Sequence, residues 1–327
     1  MSQYALPLDQ LRAYSPALPE PDGLDAFWAA TIAEARAFDW PATFQAVDAG
    51  LTEIRTFDVR FAGFGGAPIR AWLQLPAHAS ADTRSLPAVV EYVGYGGGRG
   101  LPHERILFAA AGYAYLVMDT RGQGSTWSTG DTPDPDSAGG EPAYPGFMTR
   151  GVLDPATYYY RRLITDAVRA VDAVRTHPAV DGTRVAVTGG SQGGGLSIAV
   201  ASLVPDLAAA APDVPFLCDF PRAITFADAA PYTEIAAYLH VHRDHVERVL
   251  HTLAHVDGAI LGRRAKAPAL FSVALMDRIC PPSTVFAAYN AYAGPKEIIE
   301  YPFNDHEGGD AFQTARKLPW LAGRLRG

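Results

Sequence analysis

Cysteine is almost absent from this 327-residue chain, which holds only Cys218 and Cys280. Two thiols cannot make a disulfide framework and do not read as a metal site; they suit a reducing compartment. Lysine occurs only at Lys266, Lys296 and Lys317, so arginine supplies nearly all the positive charge. There is no basic run, and the formal net charge is −8. Binding to a phosphate backbone requires several phosphates to be neutralised, so nucleic acid is excluded as an expected partner. No apolar run is long enough to span a bilayer, which removes the membrane as a partner. The opening MSQYALPLDQLRAYSPALPEP lacks both the basic start and the continuous apolar stretch of a secretory signal. Internal repeats and low-complexity tracts are missing too. The expectation is a soluble, cytoplasmic protein.

What the chain does have is apolar content, 48% of its residues. That is enough for a large core, either as one big α/β domain with insertions or as a core with a small lid. The reading adopted is a single domain over residues 1–327. It has an N-terminal extension (residues 1–50), an insertion loop (121–157) and a helical, lid-like insertion (220–265).

Residues 22–38 read as an amphipathic helix with Leu24, Phe27, Trp28 and Ile32 on one side. Residues 52–61 and 69–75 alternate apolar and polar positions around a GFGG turn, which predicts an antiparallel hairpin at the first edge of a sheet. Short, nearly continuous apolar runs then alternate with helical stretches. The strand candidates are residues 88–93, 113–119, 184–188, 208–216, 269–275 and 297–301, and a helix is expected over 158–177. This pattern predicts an α/β fold with a mostly parallel, doubly wound sheet covered on both faces. Residues 121–157, rich in Gly, Pro and Asp, are too long for an ordinary connection, and loops of that kind are usually functional or interfacial. Both insertions should lie over the strand ends where ligands bind.

The chemistry is concentrated at GxSxG, formed by Gly189, Ser191 and Gly193 between a strand and an apolar helix. That context predicts a nucleophile elbow, with the serine hydroxyl projecting at a helix N-terminus and the Gln192 N–H facing a developing oxyanion. A serine needs a base and an orienting acid, and in this architecture they follow in the order Ser, Asp, His. Asp277 follows the strand at 269–275, and His306 follows the next strand. The ordered trio predicts Ser191, Asp277 and His306 as the catalytic triad of an α/β-hydrolase. The N–H of Tyr95, in the Gly-rich loop after residues 88–93, is the candidate for the second oxyanion donor. His240, His242, His245, His251 and His255 show no HExxH pattern and read as exposed helix residues, so no metal is expected.

Four motifs carry a resemblance to a known family: Arg121-Gly-Gln123, the elbow Gly189-Gly-Ser-Gln-Gly193, Asp277 in the run DRICPPST, and His306-Glu307. The chain resembles the carbohydrate esterase family of acetyl xylan esterases and cephalosporin C deacetylases. The likeness extends over nearly the whole chain, with one departure at Tyr92-Val93, where the family usually has Phe-His. The resemblance implies removal of O-acetyl groups from acetylated sugars, xylo-oligosaccharides and small acetyl esters such as cephalosporin C, with no cofactor. It also implies an acyl pocket lined by Tyr95, Pro231 and Ile279, and Arg121, Gln123 and Glu307 as residues bracing the site loops. With the long loop at 121–157, it implies a closed homo-oligomer, a hexamer. An amidase, peptidase or thioesterase on the same fold is the alternative, because a triad does not by itself select the leaving group. A binding module reusing the scaffold would normally have lost one of the three residues.

Overall fold

The computed structural model describes residues 6–80, 83–135 and 142–326. Two helices, α1 (Leu8–Arg12) and α2 (Leu24–Arg36), precede a hairpin-like run of β1 (Thr43–Val47), β2 (Ile54–Ala62) and β3 (Pro68–Pro76). Then come β4 (Leu86–Tyr92), α3 (Leu107–Ala110), β5 (Ala114–Met118), α4 (Tyr159–Thr176), β6 (Val180–Gly190), α5 (Gln192–Leu203) and β7 (Ala209–Asp213). Four helices follow: α6 (Phe220–Phe226), α7 (Tyr232–Val241), α8 (Val246–Ala254) and α9 (Gly258–Leu261). The chain continues through β8 (Ala269–Ala274), α10 (Pro282–Ala291), β9 (Lys296–Tyr301) and α11 (Asp310–Leu325).

The strands form one nine-stranded sheet in the order β1-β2-β3-β5-β4-β6-β7-β8-β9. Pairings are antiparallel from β1 to β5 and parallel from there to β9. The period of two along each strand sorts its side chains between two faces. Ala88, Val90, Leu116, Met118, Val185 and Val187 join the larger core cluster, together with residues of α4 and α5. Their immediate neighbours Val89, Tyr115, Val117 and Ala186 join a second cluster on the other face, with Phe108 of α3 and Leu321 and Leu325 of α11. Burial on both faces is why these strands read as continuous apolar runs.

Three expectations need correction. The hairpin is not the sheet's edge: β1 pairs outside it, Thr43 opposite Arg60 through Val47 opposite Thr56. None of the five β1 residues is fully buried, so the strand lacks the apolar alternation that would have announced it. The strand expected over 208–216 stops at Asp213, because Val214, Leu217 and Asp219 all take positive φ. His255 is not exposed: it is 5% accessible, its Nδ1 lies 2.9 Å from the His251 carbonyl oxygen, and its ring meets Phe27 edge-on at 5.0 Å. Helix α2 covers it, since Trp28 Nε1 donates to the His255 carbonyl at 2.9 Å. His240 and His251 are exposed, whereas His242 and His245 are half-buried and stacked 5.0 Å apart.

Candidate active site

Ser191 sits between β6 and α5 with φ 56° and ψ −118°, a conformation that L residues rarely adopt. Its N–H donates to the Asp213 carbonyl of the adjacent strand at 3.0 Å, which secures the turn. Gly193 is required there, because a Cβ would run into the carbonyl oxygen of Tyr92. The sequence GxSxG therefore lets α5 start hard against β4.

Parallel strands β8 and β9 deliver the other two residues to the same sheet edge. Asp277 is fully buried and its Oδ2 lies 2.8 Å from His306 Nδ1. Its Oδ1 accepts from the N–H groups of Ile279 and Cys280, both at 2.8 Å. Three contacts on the two oxygens thus hold one orientation toward the imidazole. Ser191 and His306 line one cleft of about 540 Å³, together with Tyr95, Pro231 and Ile279.

Among the described residues, no hydrogen bond joins Ser191 Oγ to His306. Such bonds often tighten only when substrate is bound. Burial holds the Cys280 thiol well above its usual range, so it stays protonated and is no rival nucleophile. Cys218 is likewise buried and unpaired.

Tyr95 and Gln192 N–H groups have no acceptor among the described residues, which leaves both available to an anion. Gln123 links the segments that carry them: its Oε1 accepts from Gly96 N–H at 2.6 Å, while its Nε2 donates to Gln192 Oε1 at 2.9 Å. Tyr160 donates to the same Gln192 oxygen at 3.0 Å, and Gln192 Nε2 reaches back to the Val93 carbonyl at 3.1 Å. Tyr95 is held from the opposite side. Its hydroxyl donates to Glu234 Oε1 of α7 and accepts from Phe147 N–H, each at 2.7 Å. Burial raises the Glu234 carboxyl above the ordinary glutamate range, with the Tyr95 bond opposing that shift. Sequence reasoning missed Glu234 and the side-chain roles of Tyr159 and Tyr160, because partners more than thirty residues away leave no periodic trace.

Arg121 and Glu307 stand in separate networks. Arg121 is 1% exposed and bonds Asp166 through Nε (2.5 Å) and Nη2 (2.8 Å) and Asp134 through Nη1 (3.2 Å). Its carbonyl accepts from Tyr159. Glu307 is exposed and ties the histidine loop to itself, accepting from Asn304 Nδ2 at 2.7 Å and Asp305 N–H at 3.1 Å. The arrangement as a whole can generate an alkoxide at Ser191, orient its base and receive an oxyanion.

The model of the acetyl xylan esterase family matches residues 1–324. An acetyl xylan esterase from Paenibacillus sp. R4 is 39% identical, with a TM-score of 0.92 over 98% of this chain and 100% of that one. Acetyl xylan esterase 1 from Thermoanaerobacterium sp. JW/SL YS485 is 32% identical, with a TM-score of 0.87 over 97% and 99% of the two chains. The acetyl esterase Axe7A of Xylanibacter ruminicola is 31% identical over 166 residues, 49% of this chain and 36% of its own length. The match thus spans little more than a third of that curated relative. No helix of the described residues is long and apolar enough to cross a membrane. Taken with the ordered Ser, Asp and His around one cleft, these matches mean that the chain belongs to the acetyl xylan esterase family of carboxylic ester hydrolases.

Proposed function

We propose that this protein removes O-acetyl groups from acetylated sugars and xylo-oligosaccharides, and from small acetyl esters such as cephalosporin C, through an acetyl-enzyme on Ser191. The observation that carries the reading is the bond of 2.8 Å between His306 Nδ1 and the buried Asp277, which leaves Nε2 as the imidazole's base toward the cleft. His306 takes the Ser191 proton as Oγ attacks the acetyl carbonyl, and Asp277 stabilises the imidazolium. The N–H groups of Tyr95 and Gln192 hold the oxyanion. The alcohol leaves with the proton from His306, and water, deprotonated by the same imidazole, hydrolyses the acetyl-enzyme. No cofactor enters this sequence of steps.

Tyr95, Pro231 and Ile279 form the acyl pocket in this reading, and all three line the cleft beside Ser191. A longer acyl chain must overpack that pocket, at a cost of about 1–3 kcal/mol. Acetyl esters are therefore expected to exceed butyryl esters of the same alcohol by at least about tenfold in kcat/KM. Ile279→Ala is expected to narrow the gap. Equal rates on acetate and butyrate, or an unchanged ratio in Ile279→Ala, rule out this pocket. A panel of acetyl esters, amides and thioesters of matched leaving groups separates the esterase from the amidase, peptidase and thioesterase alternatives.

The same reading includes a hexamer of dihedral symmetry, in keeping with the long ordered loop segments at 121–135 and 142–157, and a reducing, cytoplasmic setting that suits two free thiols. Light scattering is expected to give six times the mass of the chain at micromolar concentration; a monomer alone counts against the assembly.

A further inference from the structure

The cleft holding Ser191 is lined by two chemically different sets of residues, apolar Ala230, Pro231 and Ile279 and polar Glu91, Arg105, Asp310, Gln313 and Thr314. A second groove of about 700 Å³ shares Glu91, Arg105, Asp213, Asp310 and Thr314 with the cleft, but includes none of the three apolar residues. The polar part is thus the one that continues away from the acyl pocket, and a leaving alcohol must extend along it. Its walls carry Glu91, Glu104, Asp213 and Asp310 against only Arg105 and Lys317. Such an acidic, acceptor-rich surface suits a neutral ligand bearing several hydroxyl donors.

Trp127 stands in the lining of the same cleft and is 55% exposed. A large aromatic left open to solvent at a site lip is informative, because most tryptophan surface is buried. The side chain is also held rigidly. Its Nε1 donates to the Tyr95 carbonyl at 2.8 Å, and its edge packs so closely on the Gly-rich loop that a Cβ at Gly97 would run into the ring. Arg105 lies 5.6 Å from the ring centroid and is itself held by Glu91 at 2.7 Å. The indole is therefore a preset flat surface beside a strip of hydroxyl acceptors.

We propose that Trp127 and this polar groove form the leaving-group site, in which a neutral pyranose stacks its C–H face on the indole while its hydroxyls bond the carboxylates of Glu91 and Asp310. This rests on the acetyl-sugar reading above and adds to it the residues that select a sugar over a simple alcohol. The apolar face of a pyranose and the π face of indole are matched in size and hydration. Stacking gains affinity without bonding to the ring nitrogen, which is already engaged by Tyr95.

The test compares a mono-O-acetylated xylopyranose, whose other hydroxyls are free, with ethyl acetate. Trp127→Ala is expected to lower kcat/KM on the sugar ester by at least about tenfold, mainly through KM, and to change ethyl acetate hydrolysis by less than about threefold. Trp127→Phe keeps an aromatic face but loses the bond to the Tyr95 carbonyl, so it should preserve the preference for the sugar ester. In the wild-type enzyme, free xylobiose should inhibit ethyl acetate hydrolysis competitively. Equal losses on both esters in Trp127→Ala would show that the indole only braces Tyr95 and would overturn the proposal, as would an absence of xylobiose inhibition. Failure of the wild type itself to hydrolyse the sugar ester, with ethyl acetate still hydrolysed, refutes instead the acetyl-sugar reading on which this rests.

Discussion

Ser191→Ala and His306→Ala are each expected to lower kcat by about 10⁴-fold or more while leaving the thermal transition nearly unchanged. Ser191 contributes a hydroxyl to the cleft and its strained backbone is held by the Asp213 carbonyl, which alanine does not disturb. His306 lies on a loop and is only partly buried. Asp277→Asn is expected to be severely impaired as well, because an amide facing Nδ1 favours the wrong tautomer. It should also cost some stability, since Asp277 caps the N–H groups of Ile279 and Cys280. Organophosphate labelling checks the assignment independently. Ser191→Ala retaining more than about a tenth of wild-type kcat would falsify the triad, given the loss expected of such a residue.

The largest stability effect is expected at Arg121. Removing it leaves Asp166 at 0% exposure with, among the described residues, only the Phe64 N–H as a hydrogen-bond partner, and leaves Asp134 to Arg162. Breaking a buried pair by deleting one member costs about 3–5 kcal/mol, because an uncompensated charge stays behind. Arg121→Met should therefore lower the denaturation midpoint markedly. Arg121→Met combined with Asp166→Asn should lower it less, since the stranded charge is gone. Burial already pushes the Asp166 carboxyl above the ordinary aspartate range, against the opposing pull of Arg121. Without the arginine that shift grows, and the raised group then contributes stability that is present at low pH and lost as pH rises through its folded value. The deficit of Arg121→Met relative to wild type should thus be larger at pH 8 than at pH 5. A double variant less stable than Arg121→Met would refute this account. Activity should fall with stability, because a displaced residue 121 moves the backbone carbonyl that holds Tyr159, which accepts from the Gln123 side chain bonded to Gly96 and Gln192.

The chain announced its chemistry and its fold through local patterns. β4, β5 and β6 bury apolar side chains on both sheet faces and so stand out as short continuous apolar runs. The elbow is legible because tight strand-to-helix turns admit few residues, and the order Ser, Asp, His fits strands that run in one direction. These signals are short in range, so a linear reading recovers them. The edge strand β1 escaped because a surface strand has no face to bury and hence no alternation to show.

Long-range polar partners were decided only by the tertiary structure. That Gln123 would bridge Gly96 and Gln192, that Glu234 would hold the Tyr95 hydroxyl, and that Arg121 would meet Asp166 depends on where segments 27 to 139 residues apart come to rest. A hydrogen bond requires a fit within a few tenths of an ångström and a narrow angle, and no spacing in the sequence encodes that. His255 shows the same limit: its helix reads as solvent-facing, and it is buried only because α2, more than two hundred residues earlier, lays Phe27 and Trp28 across it. Sequence thus determined the esterase family, the fold and the order in which the strands present the candidate Ser, Asp and His, through steric and solvation rules acting on neighbouring residues. Tertiary packing decided which distant side chains hold those groups still, because satisfying buried polar atoms is a property of the assembled interior and not of any segment.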